Sequence, residues 1–223
     1  MMSESYIIEV FCKIKCPFYE ETLECNSCDL CPFRNSLKVE TGGNKIFHLV
    51  TNKLNTINPE VDKFDSNEII GIVIRWDKIN HLWIWMGLDV LIDSIWCTDP
   101  SLEIKTTLED PVENHKIMEK VSKNLVKFPS AKLIEDFSRG VGRRYYLGSS
   151  VDYLEIQRNI KKIKTIIKKY NLKSNIDFGN YFWTSSTGYD KYICGLDLDG
   201  KYVNCCYDRD LSYSVLPIGI LIL

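Results

Sequence analysis

The sequence predicts an α+β fold, because candidate strands come first, candidate helices follow and strands return at the end. Two observations carry this. Residues 68–76, Glu-Ile-Ile-Gly-Ile-Val-Ile-Arg-Trp, form a continuous β-branched run that matches a buried strand. Residues 151–170 carry Leu154, Ile160, Ile163 and Ile167 at helical spacing opposite a lysine-rich side. A parallel α/β sheet would instead alternate strand and helix along the whole chain.

The elements follow in order. Residues 6–11 read as a short strand, and residues 45–50 as another, entered through the turn signal Thr41-Gly42-Gly43-Asn44. Residues 51–67 are polar, contain Pro59 and read as a linker. Asp77 to Asn80 suits a hairpin turn, with residues 81–86 returning as its partner strand. Residues 112–127 place Val112, Ile117, Val121 and Leu125 near one side of a helix, and residues 130–137 carry a second helical pattern. For the helix over 151–170, Ser149 or Ser150 supplies a cap, Asp152 and Glu155 suit the positive end of the dipole, and Asn171 or its successors end it. Residues 181–184, 192–198 and 201–206 read as strands, the last two joined by an Asp199-Gly200 hairpin. The tail, VLPIGILIL, is too short to span a bilayer and reads as a buried strand. The expected organisation is a cysteine-rich head over 1–50, a linker over 51–67 and a body over 68–223.

Composition narrows the function classes. Hydrophobic residues make up 45% of the chain, enough for a packed core. A net charge of -2 lacks the basic footprint expected of a nucleic-acid or anionic-membrane partner. The first residues show no basic region followed by an apolar stretch and a cleavage site, so no secretory signal is expected and synthesis is placed in the cytoplasm. In that reducing compartment the nine cysteines start as thiols or metal ligands.

Five of them, Cys12, Cys16, Cys25, Cys28 and Cys31, follow the pattern C-x3-C-x8-C-x2-C-x2-C. Thiolates this close suit tetrahedral zinc, and so small a head needs a staple. Cys12, Cys16, Cys28 and Cys31 are the leading ligand set, with Cys25 and His48 as substitutes. The run from Cys25 to Pro32 also resembles part of an iron–sulfur motif, which stays open beside unligated thiols. Cys97 and Cys194 read as core residues, and the adjacent Cys205 and Cys206 should point to opposite faces of a strand.

No catalytic constellation is visible. The Walker, G-x-S-x-G and H-E-x-x-H patterns are absent. His81 reads as a satisfied residue in an aromatic strand, and His115 as a solvated residue opening a helix. Asp197, Asp199, Asp208 and Asp210 alternate with turn residues, so calcium is not expected. The face bearing Lys161, Lys162, Lys164, Lys168 and Lys169 reads as a solvated helix side.

Four motifs in the body carry a family resemblance. These are Ile70-Gly71-Ile72-Val73-Ile74 with Leu82-Trp83-Ile84-Trp85; Ile95-Trp96; residues 130–137 with 144–154; and Tyr181-Phe182-Trp183-Thr184-Ser185-Ser186-Thr187 with the later hairpin and residues 213–218. Together they resemble the domain family typified by the C-terminal domain of the Legionella collagen-like adhesin, common in Bacteroidetes and their phages and related to the C-type-lectin and formylglycine-generating-enzyme folds. Gly148, Gly188 and Leu216 stand where that family usually has Pro, Glu and Arg, which marks a divergent member. The resemblance implies a C-type-lectin-like body, and the Ser-Ser-Thr block is read as backbone-satisfying rather than as a site.

The expected function is therefore a non-enzymatic binding or structural module. It would be a phage virion component, a head or tail decoration or fibre, that contacts carbohydrate or other virion and surface proteins and self-associates as a homo-oligomer. Trp96, Tyr189 and Tyr192 are the candidate ligand-binding aromatics. A cytoplasmic bacterial protein that recruits a partner through its zinc-stapled head is the alternative, and a formylglycine-generating-type enzyme the third reading.

Overall fold

A computed structural model describes residues 45–77, 80, 82–99, 101–187, 193–198, 203–207 and 211–222, with the backbone alone for residues 92, 203–207 and 222. The five cysteines of the head, His81, Tyr189, Tyr192, Asp199, Asp208 and Asp210 lie outside the described residues.

The apolar run becomes strand β3 (Ile69–Asp77), which follows two short strands, β1 (Leu49–Thr51) and β2 (Thr56–Ile57). Strand β4 (Leu82–Gly87) returns antiparallel to β3, pairing Val73 with Trp85 and Ile72 with Met86. Strand β5 is Leu91–Ile95. Two helices follow, α1 (Pro111–Val121) and α2 (Pro129–Val141), then strand β6 (Tyr145–Leu147). Helices α3 (Ser150–Arg158) and α4 (Ile160–Lys169) precede the final strands β7 (Tyr181–Thr187), β8 (Ile193–Asp197), β9 (Val203–Tyr207), β10 (Ser212–Val215) and β11 (Pro217–Ile222).

These strands form two sheets, ordered β2-β1-β3-β4-β11-β6 and β5-β10-β7-β8-β9. The apolar tail thus becomes an interior strand between β4 and β6. The chain crosses from the second sheet to the first at Leu216, whose carbonyl accepts a 2.9 Å hydrogen bond from the buried Tyr153 hydroxyl.

Alternation along β3 and β4 explains why both read as continuously apolar. Ile72, Ile74, Ile84 and Met86 belong to one core with Leu154, Ile156 and Ile163 of the α3–α4 pair. Val73, Trp83 and Trp85 belong to a second core with Met118 of α1, Ala131 and Ile134 of α2, and Trp96. A sheet covered on both faces has no polar side. Trp85 lies flat across its neighbours: a Cβ on Gly71 of β3 would sit 2.2 Å from its ring, and one on Gly219 of β11 would sit 2.1 Å away. No side chain fits at either position.

Several local expectations change. Residues 51–67, expected as a linker, instead add β2 to the first sheet, and Ile57 and Phe64 pack on the core. Residues 45–47 turn rather than extend; Phe47 and His48 bond to Val73, and the regular strand pairing with β3 starts at Leu49. The helix expected over 112–127 stops at Val121. Ser122 accepts the Lys127 N–H on its hydroxyl, and Asn124 and Leu125 adopt left-handed backbone angles. The long helix over 151–170 is two helices. Asn159 breaks it, its side-chain amide donating to the Glu155 carbonyl at 2.9 Å and competing with the helical ladder. Its far end is as expected: Asn171 is left-handed, and Leu172 N–H reaches back to the Ile167 carbonyl at 3.0 Å.

One buried ion pair joins sheet to helix. Arg75 of β3 donates from Nε to Asp152 Oδ1 at 2.6 Å, with Asp152 fully buried. Burial opposes the Arg75 charge, but Asp152, with Asp77 and Glu155, outweighs it and holds the guanidinium above its ordinary range. The same Asp152 closes a capping box with Ser149 at the start of α3, accepting the Ser149 N–H at 2.7 Å. Removing one partner leaves the other charged and buried. Asp152→Ala is expected to cost about 3–5 kcal/mol by urea denaturation, and the double variant Arg75→Met, Asp152→Leu substantially less. Equal losses in the two would remove the pair from its place in the fold.

Candidate functional site

The Ser-Ser-Thr segment sits where β7 and β8 lose register. Trp183 pairs with Gly195 and Thr187 with Ile193, so residues 184–186 bulge. A bulge frees backbone groups from the ladder, and the hydroxyls satisfy them. Thr184 Oγ1 donates to the Cys194 carbonyl at 2.7 Å and accepts the Ser186 N–H at 3.1 Å. Ser186 Oγ accepts the Ser150 N–H at 2.9 Å, and Thr187 Oγ1 accepts the Thr106 N–H at 3.0 Å. Ser185 Oγ receives the Asn114 amide at 2.8 Å. Residues 184–187 are all at most 1% exposed. These side chains rivet the loop before α1, the start of α3 and the second sheet together, and their hydrogen-bonding capacity is spent internally.

Trp96 belongs to this interior. It is 1% exposed, donates its indole N–H to the Thr184 carbonyl at 2.8 Å and packs edge-on against Phe128. It therefore presents no ring face to a ligand, contrary to the sequence expectation; a loop between two sheets needed a large apolar filler with one donor. Cys97 and Cys194 are buried as expected. His48 is half-buried before β1, its carbonyl accepting the Val73 N–H at 2.9 Å. Among the described residues no group of three or more His, Cys, Asp or Glu side chains gathers in a metal-holding arrangement.

A cavity of about 420 Å³ lies instead between α1, α2 and β6, lined by His115, Glu119, Glu135, Ser138, Arg139 and residues 142–145. Helix α2 ends at left-handed Gly142, with Arg143 N–H returning to the Ser138 carbonyl, and this turn brings Arg143 and Arg144 to the cavity. On α1 the buried positions Pro111, Asn114, His115 and Met118 follow helical spacing, which takes His115 inward rather than into solvent. The imidazole is 8% exposed and stands edge-on to Tyr146, with ring centroids 5.6 Å apart. Its Nδ1 is buried with no hydrogen-bond partner.

The charges around the cavity are unequally engaged. Glu135 pairs with Arg139 along α2. Burial pushes the Tyr145 pKa up, with nearby Arg143 acting against it. Arg144 lies exposed with its guanidinium 5.5 Å from the Tyr146 ring, and has no carboxylate partner among the described residues. Ser138 is occupied, donating to the Ile134 carbonyl at 2.7 Å and accepting the Tyr145 N–H at 3.0 Å. The arrangement offers cationic donors and two rim carboxylates, which suits holding a polar ligand. The hydroxyls beside the imidazole are a committed serine and a tyrosine held protonated. Nothing in the sequence pattern pointed to this cavity, because its parts come from three elements and His115 looked like an exposed helix opener.

Burial lowers the His115 pKa from its ordinary 6.5, with Arg144 acting in the same sense and Glu119 and Glu135 against it. A folded-state value below the unfolded one means that the unfolded chain binds the extra proton first. The stability from burying neutral His115 is present above about 6.5 and is lost as pH falls toward the lower folded value. Chemical denaturation at stepped pH should therefore show the wild type losing stability in this window faster than His115→Gln. A smaller loss in the wild type would contradict the buried neutral state.

With this geometry in place, comparison with known proteins gives one fold-level match. No protein-family model matches the chain, and no curated protein matches it. Among the described residues no helix is long and apolar enough to cross a membrane. The chain is similar to the crystal structure of a fimbrial protein from Bacteroides ovatus, with a TM-score of 0.56 and 11% sequence identity over 78% of this chain. The match takes in 48% of that fimbrial protein, so this chain spans about half its length, and the likeness is one of fold.

Proposed function

We propose that this chain is a non-enzymatic binding or structural module, with a C-type-lectin-like body and a cysteine-rich head, that serves as a decoration or fibre component of a phage virion and contacts carbohydrate or other surface proteins. The observation that carries this reading is the internal commitment of the polar side chains. Thr184, Ser185, Ser186, Thr187, Asn114 and Asp152 all bond within the fold, while the accessible cavity offers cationic donors and no activated nucleophile. That arrangement binds rather than reacts.

Support for the lectin-like body comes from how the resembling segments meet. Arg75 of the opening hairpin pairs with Asp152, Trp96 bonds to Thr184, Ser150 bonds to Ser186, and Tyr153 bonds to Leu216 near the end of the chain. The likeness to a fimbrial protein agrees with an adhesive or assembly role. Detection of the chain by immunoblot in density-purified particles from its source culture is the expected result. Its presence only in the unassembled soluble fraction would overturn the virion assignment.

For the head, we propose a zinc staple held by Cys12, Cys16, Cys28 and Cys31, with Cys25 and His48 as substitutes; the cysteine spacing supports it. Full-length protein purified without added metal is expected to contain roughly one zinc per chain by elemental analysis. Zinc should fall sharply in Cys28→Ser. Iron with inorganic sulfide, or no bound metal, would remove the zinc staple.

A further inference from the structure

We propose that the cavity between α1, α2 and β6 is a binding site for a small carboxylate-bearing polyhydroxy ligand of sugar-acid size, held by His115, Arg143 and Arg144. It rests on the reading of the chain as a binding module and names what one of its surfaces recognises.

Three observations converge. First, His115 is 8% exposed and lines the cavity, yet neither ring nitrogen has a hydrogen-bond partner among the described residues. Nδ1 is sealed in the interior, which leaves Nε2 as the ring atom available to an occupant. An occupant of the cavity would meet Nε2, which can serve as one donor or one acceptor for a ligand polar atom. Second, Arg143 and Arg144 have no carboxylate partner among the described residues. Arg139 is paired with Glu135, and the Arg144 guanidinium stands 5.5 Å from the Tyr146 ring. A planar guanidinium with no acid to engage is suited to a carboxylate from outside. Third, the rim also carries Glu119 and Glu135. Glu119 opposes a dianion such as phosphate more strongly than a singly charged acid, and both carboxylates can accept hydrogen bonds from ligand hydroxyls. A singly charged acid with several hydroxyls answers both halves of this lining. The volume of about 420 Å³ falls within the range of small-molecule pockets and admits a single sugar unit.

The test uses the full chain in isothermal titration calorimetry with glucuronate, glucose and inorganic phosphate as probes. Glucuronate is expected to bind, with glucose and phosphate at least about tenfold weaker, since each lacks one half of the complementarity. Arg144→Gln, an exposed position outside both cores, should weaken glucuronate by about tenfold or more, as should His115→Gln if its thermal melt shows it folded. No heat with glucuronate at tens of millimolar, unchanged affinity in Arg144→Gln, or phosphate binding as tightly as glucuronate would each overturn the proposal. Failure here together with detection in particles removes only this site. Glucuronate binding together with absence from particles removes only the virion assignment.

Discussion

The Arg75–Asp152 pair is the constraint around which the rest of the fold is arranged. A charge taken out of water must find an opposite charge and further hydrogen bonds, or the burial fails. Here the guanidinium spends Nε on Asp152 and a terminal nitrogen on the Glu109 carbonyl at 2.7 Å, while Ser149 bonds to the same carbonyl at 3.2 Å. Strand β3, the loop entering α1 and the first turn of α3 therefore meet at one point. The pair fixes where α3 begins, and Ser150, the next residue, then reaches the bulge in β7.

The apolar interior works under a complementary restriction. Trp85 occupies the middle strand of three and needs its neighbours to be glycine on both sides, at Gly71 and Gly219. The last strand must therefore dock in one register, with Gly219 opposite Trp85 and Ile218 opposite Met86. A slip of one residue would bring a side chain into the indole and send the apolar set of β11 to the wrong face. Tyr145 of β6 closes the arrangement, its ring edge-on to Trp85 at 5.2 Å. Register, ring packing and the placement of the cavity beside β6 are thus coupled.

Two groups of polar side chains stand apart among the described residues. The threonines and serines of β7 are consumed in holding loops and sheets together, which makes them structural although they sit deep between elements. The cations beside α2 are left with spare capacity at an opening. The satisfied groups rigidify the seam, and the rim cations are the groups that the proposed ligand would engage. Rigid seam and open rim share α1, where Asn114 faces the first and His115 the second.

Features encoded within about one turn or one strand were legible in the residues themselves. The continuous apolar run of β3, its return in β4, the Ser149 cap with Asp152 three residues on, the left-handed stop at Asn171 and the burial of the apolar tail all follow from local periodicity and turn chemistry. What joins distant segments was not. Arg75 and Asp152 are 77 residues apart, Trp96 and Thr184 are 88 apart, and nothing near either indicates its partner. Asn159 splitting a periodic helix, residues 51–67 adding to the sheet, Trp96 turning inward and His115 lining a cavity were decided by tertiary packing. Periodicity states which side of an element is apolar, but only the assembled neighbours determine whether a polar side is met by water, by another side chain or by an open cavity.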